Sequence, residues 1–406
     1  MRRKSPQASL PSGFGTIWVS VALDLVGFGI ILPILPLYAE DFGASPSEIG
    51  LLVASFSLMQ LIFAPLLGRL SDRIGRKPLL LFSMVGTAIG SLLTGLAGGL
   101  WLLFAARIID GISGASVSVA QASVVDLAPP DQRPRLLGML GAAFGVGFVV
   151  GPALGSLAAL GDQRLPFFVA AGISSINAIV AWRRLPETNP KERREQARRQ
   201  AGLVEGIRPG EAFGKWFETP GVVNLLAIAF IALVSFSAFE STFALLGERR
   251  FQLTQASAGA VFAGIGIAMV LVQGGIVHVA AKRFGETKAL QFGLTLNIFG
   301  LLVLGSAKSW PVLIISLALL VIGQGLITPM TTSLIAGRAH GNRRGAVLGV
   351  QQAVGSMARV VGPVCGGFLF NQLGIGAPSW FGAVLVVVAL VILLISRNTE
   401  SGLDQS

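Results

Sequence analysis

Charge is scarce in this sequence. Asp, Glu, Lys and Arg make up 13% of its 406 residues, about half the share of a soluble globular chain. A particle of this size with so little polar surface does not suit water. Cysteine is nearly absent: Cys365 stands alone, which excludes an intrachain disulfide scaffold. Only two histidines, His278 and His340, accompany it, so no set of soft metal ligands is available. No nucleophile–base–acid set is visible, so an enzyme is not expected. No G-x-x-x-x-G-K-[ST] motif is present either, which removes ATP as the energy source. What is abundant is apolar: 53% hydrophobic residues, a mean hydropathy of +0.74 and 52 glycines. Glycine at that level fits helices that approach backbone to backbone in lipid.

The net charge of +11 does not point to nucleic acid, because the basic residues form short clusters between long apolar runs. A helix needs about 20 apolar residues to cross the hydrocarbon. Twelve stretches qualify: 14–38, 47–67, 78–98, 101–125, 136–158, 166–184, 221–246, 256–280, 288–307, 310–336, 346–370 and 379–397. The first follows Met1-Arg2-Arg3-Lys4 but holds Asp24 and two prolines and lacks a small-x-small cleavage site. It reads as a retained span rather than a signal peptide. Twelve spans put both termini on one side. That side holds 25 of the 31 Lys and Arg, the other side four, and Arg107 and Arg359 lie within spans. Both termini are therefore expected in the cytoplasm.

The longest polar stretch, 185–219, divides the spans six and six. Three landmarks recur across it. Trp101 and Trp310 lie 209 residues apart, Gly75 and Gly285 lie 210 apart, and Gly151-Pro152-x-x-Gly155 and Gly362-Pro363-x-x-Gly366 lie 211 apart. The expected organisation is an N-terminal six-helix bundle over 1–184, a cytoplasmic linker over 185–219 and a C-terminal six-helix bundle over 220–406. Two such repeats would close over a midplane site and rock about it, as secondary transporters do.

The loop after span 2 reads Gly68-Arg-Leu-Ser-Asp72-Arg73-Ile-Gly75-Arg76-Lys77-Pro78. It resembles the loop 2–3 signature of the major facilitator superfamily, G-x-L-x-D-R-x-G-R-K/R. Gly68 would let two helices approach closely. Asp72, at a helix end, can pair with arginines and cap a neighbouring helix N-terminus, forming a clasp that holds one state closed. The corresponding stretch of the second half, Lys282-Arg283-Phe-Gly285-Glu286, has lost the acid. Span 5 reads Gly141-x-x-x-Gly145-x-Gly147-x-x-x-Gly151-Pro152-x-x-Gly155 and resembles the motif of the superfamily's proton-coupled exporters. Gly147, Gly151 and Gly155 would line one close-packed face, and Pro152 would kink the helix. Span 1, with Asp24-Leu-Val-Gly27-Phe28-Gly29 and Pro33, is similar to the twelve-span drug:proton antiporters, the tetracycline exporters among them. The similarity continues through Gln60, Pro65 and Arg107-x-x-Asp110-Gly111. It is weak in the C-terminal half. It departs at Asp110, where tetracycline exporters have a small residue, and at Arg359, which replaces a small or polar one. The fold implied is an all-α membrane protein, twelve helices in two pseudo-symmetric six-helix bundles.

An ionisable group at mid-bilayer is costly and is a functional candidate. At 1.5 Å per helical residue, Asp24 lies about 14 Å into span 1, Arg107 about 9 Å and Asp110 about 14 Å into span 4. The i, i+3 spacing puts Arg107 and Asp110 on one face. Glu240 in span 7 and Arg359 in span 11 lie nearer the outer side, where they are candidates to pair. These five are the candidate proton- and substrate-coupling residues, Asp24 first among them. Alternatives are a permanent Arg107–Asp110 pair and a Glu240 that reaches outer water. The analogy implies a cavity lined by spans 1, 4, 7 and 10, with Phe28, Gln121 and Gln324 as candidate contacts. Phe236, Phe239 and Phe243 recur along span 7 and would make an aromatic wall for flat cations or a packing stripe.

The function expected is a secondary active transporter by alternating access: a proton-coupled exporter of small lipophilic or cationic compounds. The alternative is a proton-coupled carrier of sugars or other metabolites on the same fold. It would use a proton gradient rather than a cofactor, sit in a bacterial inner membrane as a multi-pass protein, and need no more than a monomer.

Overall fold

The computed structural model describes residues 10–129, 132–192, 194–195, 221–338 and 344–403. His340 and most of the expected linker, 196–219 included, lie outside the described residues. Among the described residues, twelve helices are long and apolar enough to cross a membrane. They are α1 Phe14–Glu40, α2 Pro46–Ile74, α3 Arg76–Gly95, α4 Leu100–Leu127, α5 Arg135–Ala159, α6 Leu165–Arg184, α7 Val222–Phe251, α8 Gln255–Phe284, α9 Glu286–Ser306, α10 Trp310–Arg338, α11 Val347–Leu373 and α12 Ala377–Ser396. No strand occurs among the described residues.

Local chemistry sets the helix ends. α2 opens on a capping box in which Ser45 and Glu48 satisfy each other's backbone, with Pro46 in the first turn. α8 opens the same way on Thr254 and Ser257. α2 turns into α3 on a single residue, Gly75, at φ +112°, and α8 turns into α9 on Gly285 at φ +79°. Only glycine takes such angles without steric cost. These two glycines belong to the pairs noted at the 209–211 offset, and here they perform one job in both halves. Two helices are interrupted. α4 consists of Leu100–Ser113 and Ser116–Leu127, parted at Gly114-Ala115. α8 carries a π turn at Val272–Ile276.

Helix neighbours repeat between the halves. α1 packs on α5 and α6, and α3 on α4 and α6; likewise α7 packs on α11 and α12, and α9 on α10 and α12. Glycine permits these crossings. A Cβ on Gly151 would meet Gly29 Cα at 2.7 Å, and one on Gly362 would meet the Val234 carbonyl at 2.7 Å.

The halves meet through α2 with α11, α5 with α8, and α1 with α7 and α8. The face carrying the α2–α3 and α8–α9 turns is termed the basic face, after its arginines and lysines. Gly50 near the start of α2 lies against the Pro363 carbonyl, and Gly367 against Pro46. These contacts, with those of Gly259 on Pro152 and Gly266 on Phe148, run from the opposite face to about mid-depth. Arg249 at the end of α7 pairs with Glu40 at the end of α1, 2.7 Å apart. One hydrophobic core accordingly runs through both halves at this side, joining Ile34, Tyr38 and Phe167 to Phe243 and Phe262. A second core, with Phe14, Leu80, Met84, Val119 and Leu136, holds the basic end of the N-terminal half by itself. Among the described residues the halves are joined at the opposite face and to about mid-depth, and no contact between them is found at the basic end.

Candidate functional site

Of the expected coupling residues, Arg107 and Asp110 are brought into contact. In the N-terminal half, Arg107 Nη1 lies 2.8 Å from Asp110 Oδ2, and both residues are 4% exposed. The guanidinium sits 4.3 Å from the centre of the Phe56 ring, and that ring stacks on Phe28 at 5.6 Å. Arg107 Nε has no partner among the described residues. α4 can come this close to α2 and α3 because small residues face it. A Cβ on Gly90 would lie 2.8 Å from Asp110 Cβ, and one on Gly111 would lie 2.5 Å from the Phe56 carbonyl.

Asp24 stands on α1 across from the break in α4. Its Oδ2 accepts a hydrogen bond from Ser116 Oγ at 2.5 Å. Its Oδ1 is buried and has no partner among the described residues. Ser116 was not a candidate from sequence. Its signal is a glycine followed by small residues in an apolar span, Gly114-Ala115-Ser116, which marks a break but not what the break serves. Gln60 of α2 supports that break by donating to the Gly114 carbonyl at 2.8 Å.

In the C-terminal half, Glu240 and Arg359 are each half-buried. The expected pairing is not formed: the two are not in ion-pair contact. The aromatic stripe divides. Phe239 and Phe243 are buried, and Phe243 packs edge-on against Phe262 of α8 at 5.5 Å. They belong to the core rather than to a cavity wall, which leaves Phe236, half-buried, as the available ring. Gln121 is exposed on the second segment of α4. Gln324 is buried, donating to Thr328 at 3.3 Å with its Oε1 unpartnered among the described residues.

The loop 2–3 signature is assembled on the N-terminal half alone. Arg76 pairs with Asp72 at 2.6 Å and with Asp126 of α4 at 3.0 Å, and donates to Ser71 Oγ at 2.5 Å. Asp72 was expected to cap a neighbouring helix; in this state its side chain is 60% exposed and the cap belongs to Glu187. The Glu187 carboxylate accepts from the backbone N–H of Arg76 at 2.9 Å and of Lys77 at 3.2 Å, closing the start of α3. Gly75 is needed twice, for its angle and because a side chain there would strike Glu187. Arg73 contributes its carbonyl, which accepts from Arg194 at 2.9 Å. Glu187, Asn189 and Arg194, at the start of the expected linker, are thus docked on this loop. Gly68, expected at a close helix approach, has no neighbour within 4 Å of a Cβ position among the described residues. In α5, Gly147, Gly151 and Gly155 all face α1, whereas Gly145 faces Val270 of α8. The glycine series serves two interfaces. Pro152 lies inside the helix and presents its carbonyl to Gly259.

Comparison with known proteins fits this geometry. The model of the Major Facilitator Superfamily matches residues 17–280 and 276–405. The chain belongs to the Major Facilitator Superfamily. The transporter is 33% identical over 386 residues to the class E tetracycline resistance protein of Escherichia coli, covering 92% of this chain and 93% of that one. It is 27% identical to multidrug resistance protein 1 of Bacillus subtilis, covering 92% and 93%. Among solved structures, the human organic anion transporter MFSD10 (TETRAN) superposes with a TM-score of 0.68 at 27% identity, covering 94% and 98%. The similarity therefore spans both halves, including the C-terminal one, where the sequence motifs are sparse.

Proposed function

We propose that this transporter is a proton-coupled exporter of small lipophilic or cationic compounds, working by alternating access. The observation that carries the reading is Asp24: a mid-depth carboxylate with one oxygen held by Ser116 and the other unpartnered among the described residues. A carboxylate in that position can take a proton or a cationic group, but not both at once, and that exclusion is the basis of exchange. The resistance proteins among its relatives support export. The excess of Lys and Arg at the basic face supports placing that face, and both termini, in the cytoplasm of a bacterial inner membrane. The state seen is then open inward. Two bundles, 1–184 and 220–406, would rock about the site, with 185–219 between them, in a monomer driven by the proton gradient alone. A second reading has a specific support: the human relative is an organic anion transporter, and Arg359, half-buried, could receive an anion.

The test uses everted membrane vesicles, acidified inside and followed with a pH dye, to which cationic, neutral and anionic compounds are added. Proton release on adding a cationic compound, abolished by Asp24→Asn, is expected. Release with anions alone would establish the second reading. Release with none of the compounds would exclude drug export and favour sugars or other metabolites.

A further inference from the structure

The break in α4 leaves a helix start inside the N-terminal bundle. Gly114 N–H turns back to the Gly111 carbonyl at 3.1 Å and Ala115 N–H to the Ser113 carbonyl at 2.7 Å, so the regular ladder lapses over two residues. Gln60 occupies the Gly114 carbonyl from α2. The segment that begins at Ser116 presents the unpartnered N–H groups and partial positive charge of any helix start. Its first residue, 4% exposed, reaches across to α1 and donates to Asp24 Oδ2. The other oxygen of the same carboxylate is left without a partner among the described residues.

We infer that Ser116 is a positioning residue for Asp24: its hydroxyl pins Oδ2, so that the proton or cationic group is exchanged at Oδ1, and the break in α4 serves to place that hydroxyl. This rests on the reading of Asp24 as the coupling carboxylate. On α4 the charged residues nearest the break are Arg107 and Asp110 of the first segment, while Asp126 of the second segment lies at its basic end with Arg76. α5 and α6 pack against α1 but carry their only charges, Arg135, Arg183 and Arg184, at the basic end. Glu48, Arg69, Asp72 and Arg73 of α2 lie towards its two ends, as do Glu248, Arg249 and Arg250 of α7 and His278, Lys282 and Arg283 of α8. Glu240 of α7 lies nearer the opposite face. Arg107 is engaged by Asp110, so the hydrogen bond that reaches Asp24 itself is that of Ser116. A hydroxyl bonds an ionised oxygen about twice as strongly as a neutral one. Ser116 therefore favours the ionised Asp24 and eases proton release, which a transporter must complete on every cycle.

The test is an infrared titration of the purified full chain in lipid vesicles, without substrate. The protonated Asp24 is read as the carboxylic C=O band missing from Asp24→Asn. In Ser116→Ala the midpoint of that band should move to higher pH by about one unit, the effect of one hydrogen bond to a charged group. Ser116→Thr, which keeps the hydroxyl, should titrate like the native chain. A Ser116→Ala midpoint equal to the native one, or a Ser116→Thr midpoint equal to that of Ser116→Ala, overturns the inference while leaving Asp24 in its role. If no band is lost in Asp24→Asn at any pH, Asp24 is not the coupling carboxylate and the inference falls with that reading.

Discussion

Arg107 and Asp110 show how much a single buried pair constrains its neighbours. Both charges are out of water; each faces the other, and the Phe56 ring lies over the guanidinium. Asp110→Asn would leave a buried guanidinium uncompensated, at a cost of about 3–5 kcal/mol. A clear fall in the Tm of the purified chain is the expected result. Replacing both residues with apolar ones of similar volume should recover most of that Tm, since apolar substitutes for a buried pair are often neutral. Asp24→Asn should leave Tm near the native value while abolishing proton release, because its carboxylate has a single hydrogen-bond partner among the described residues to lose. The i, i+3 pair was legible in the sequence, since both residues lie on one helix. Ser116 was not, because its role depends on α4 breaking and crossing α1, 92 residues away.

Among the helices, glycines of the same type carry different duties. Gly151 packs α5 on α1 within one half, while Gly266 packs α8 on α5 across the halves, its Cβ position overlapping the Phe148 carbonyl. Gly151→Ala should cost about 1–3 kcal/mol by overpacking and lower Tm in either conformation. Gly266→Leu should instead disfavour the closed opposite face. Spin labels at Asp41 and Leu373, one in each half, would then report a longer distance. An unchanged distance in Gly266→Leu would show that this crossing does not hold the face shut. Element existence was legible almost throughout, because twelve apolar runs of bilayer length leave little choice. The glycine spacing in α5 was legible as a packing signal, but not its division between α1 and α8. Spacing defines a helix face, and only the neighbouring helices say what that face meets. Glu187 escaped for a similar reason: it caps α3 from 111 residues away.

Under the alternating access proposed above, the arrangement seen is one of two states, and among the described residues the contacts that hold it lie towards the opposite face. Gly50 with Pro363, Gly259 with Pro152 and the Glu40–Arg249 pair join the halves at the opposite face, while at the basic face the loop 2–3 residues bond, among the described residues, to the N-terminal half and to Glu187, Asn189 and Arg194. Arg249→Glu would set three carboxylates together, with Glu40 and Glu248. The label distance at the opposite face should lengthen, and the exchange Glu40→Arg with Arg249→Glu should restore it. Failure of the exchanged pair to restore the distance would remove the ion pair from the closure. Which face would be the closed one was not legible in the sequence, since in an alternating-access cycle the same residues would serve both states.

The Glu40–Arg249 pair also sits at the water's edge, with the Arg249 side chain 47% exposed. Dissolved ions therefore reach it. The Debye length is about 8 Å at physiological salt and about 3 Å at 1 M, and an exposed pair contributes at most about 1 kcal/mol. That is enough to change the ratio of the two states several-fold. The balance between them is thus open to the salinity of the medium on that face, a setting that acts on the resting population and touches neither the cargo nor the proton.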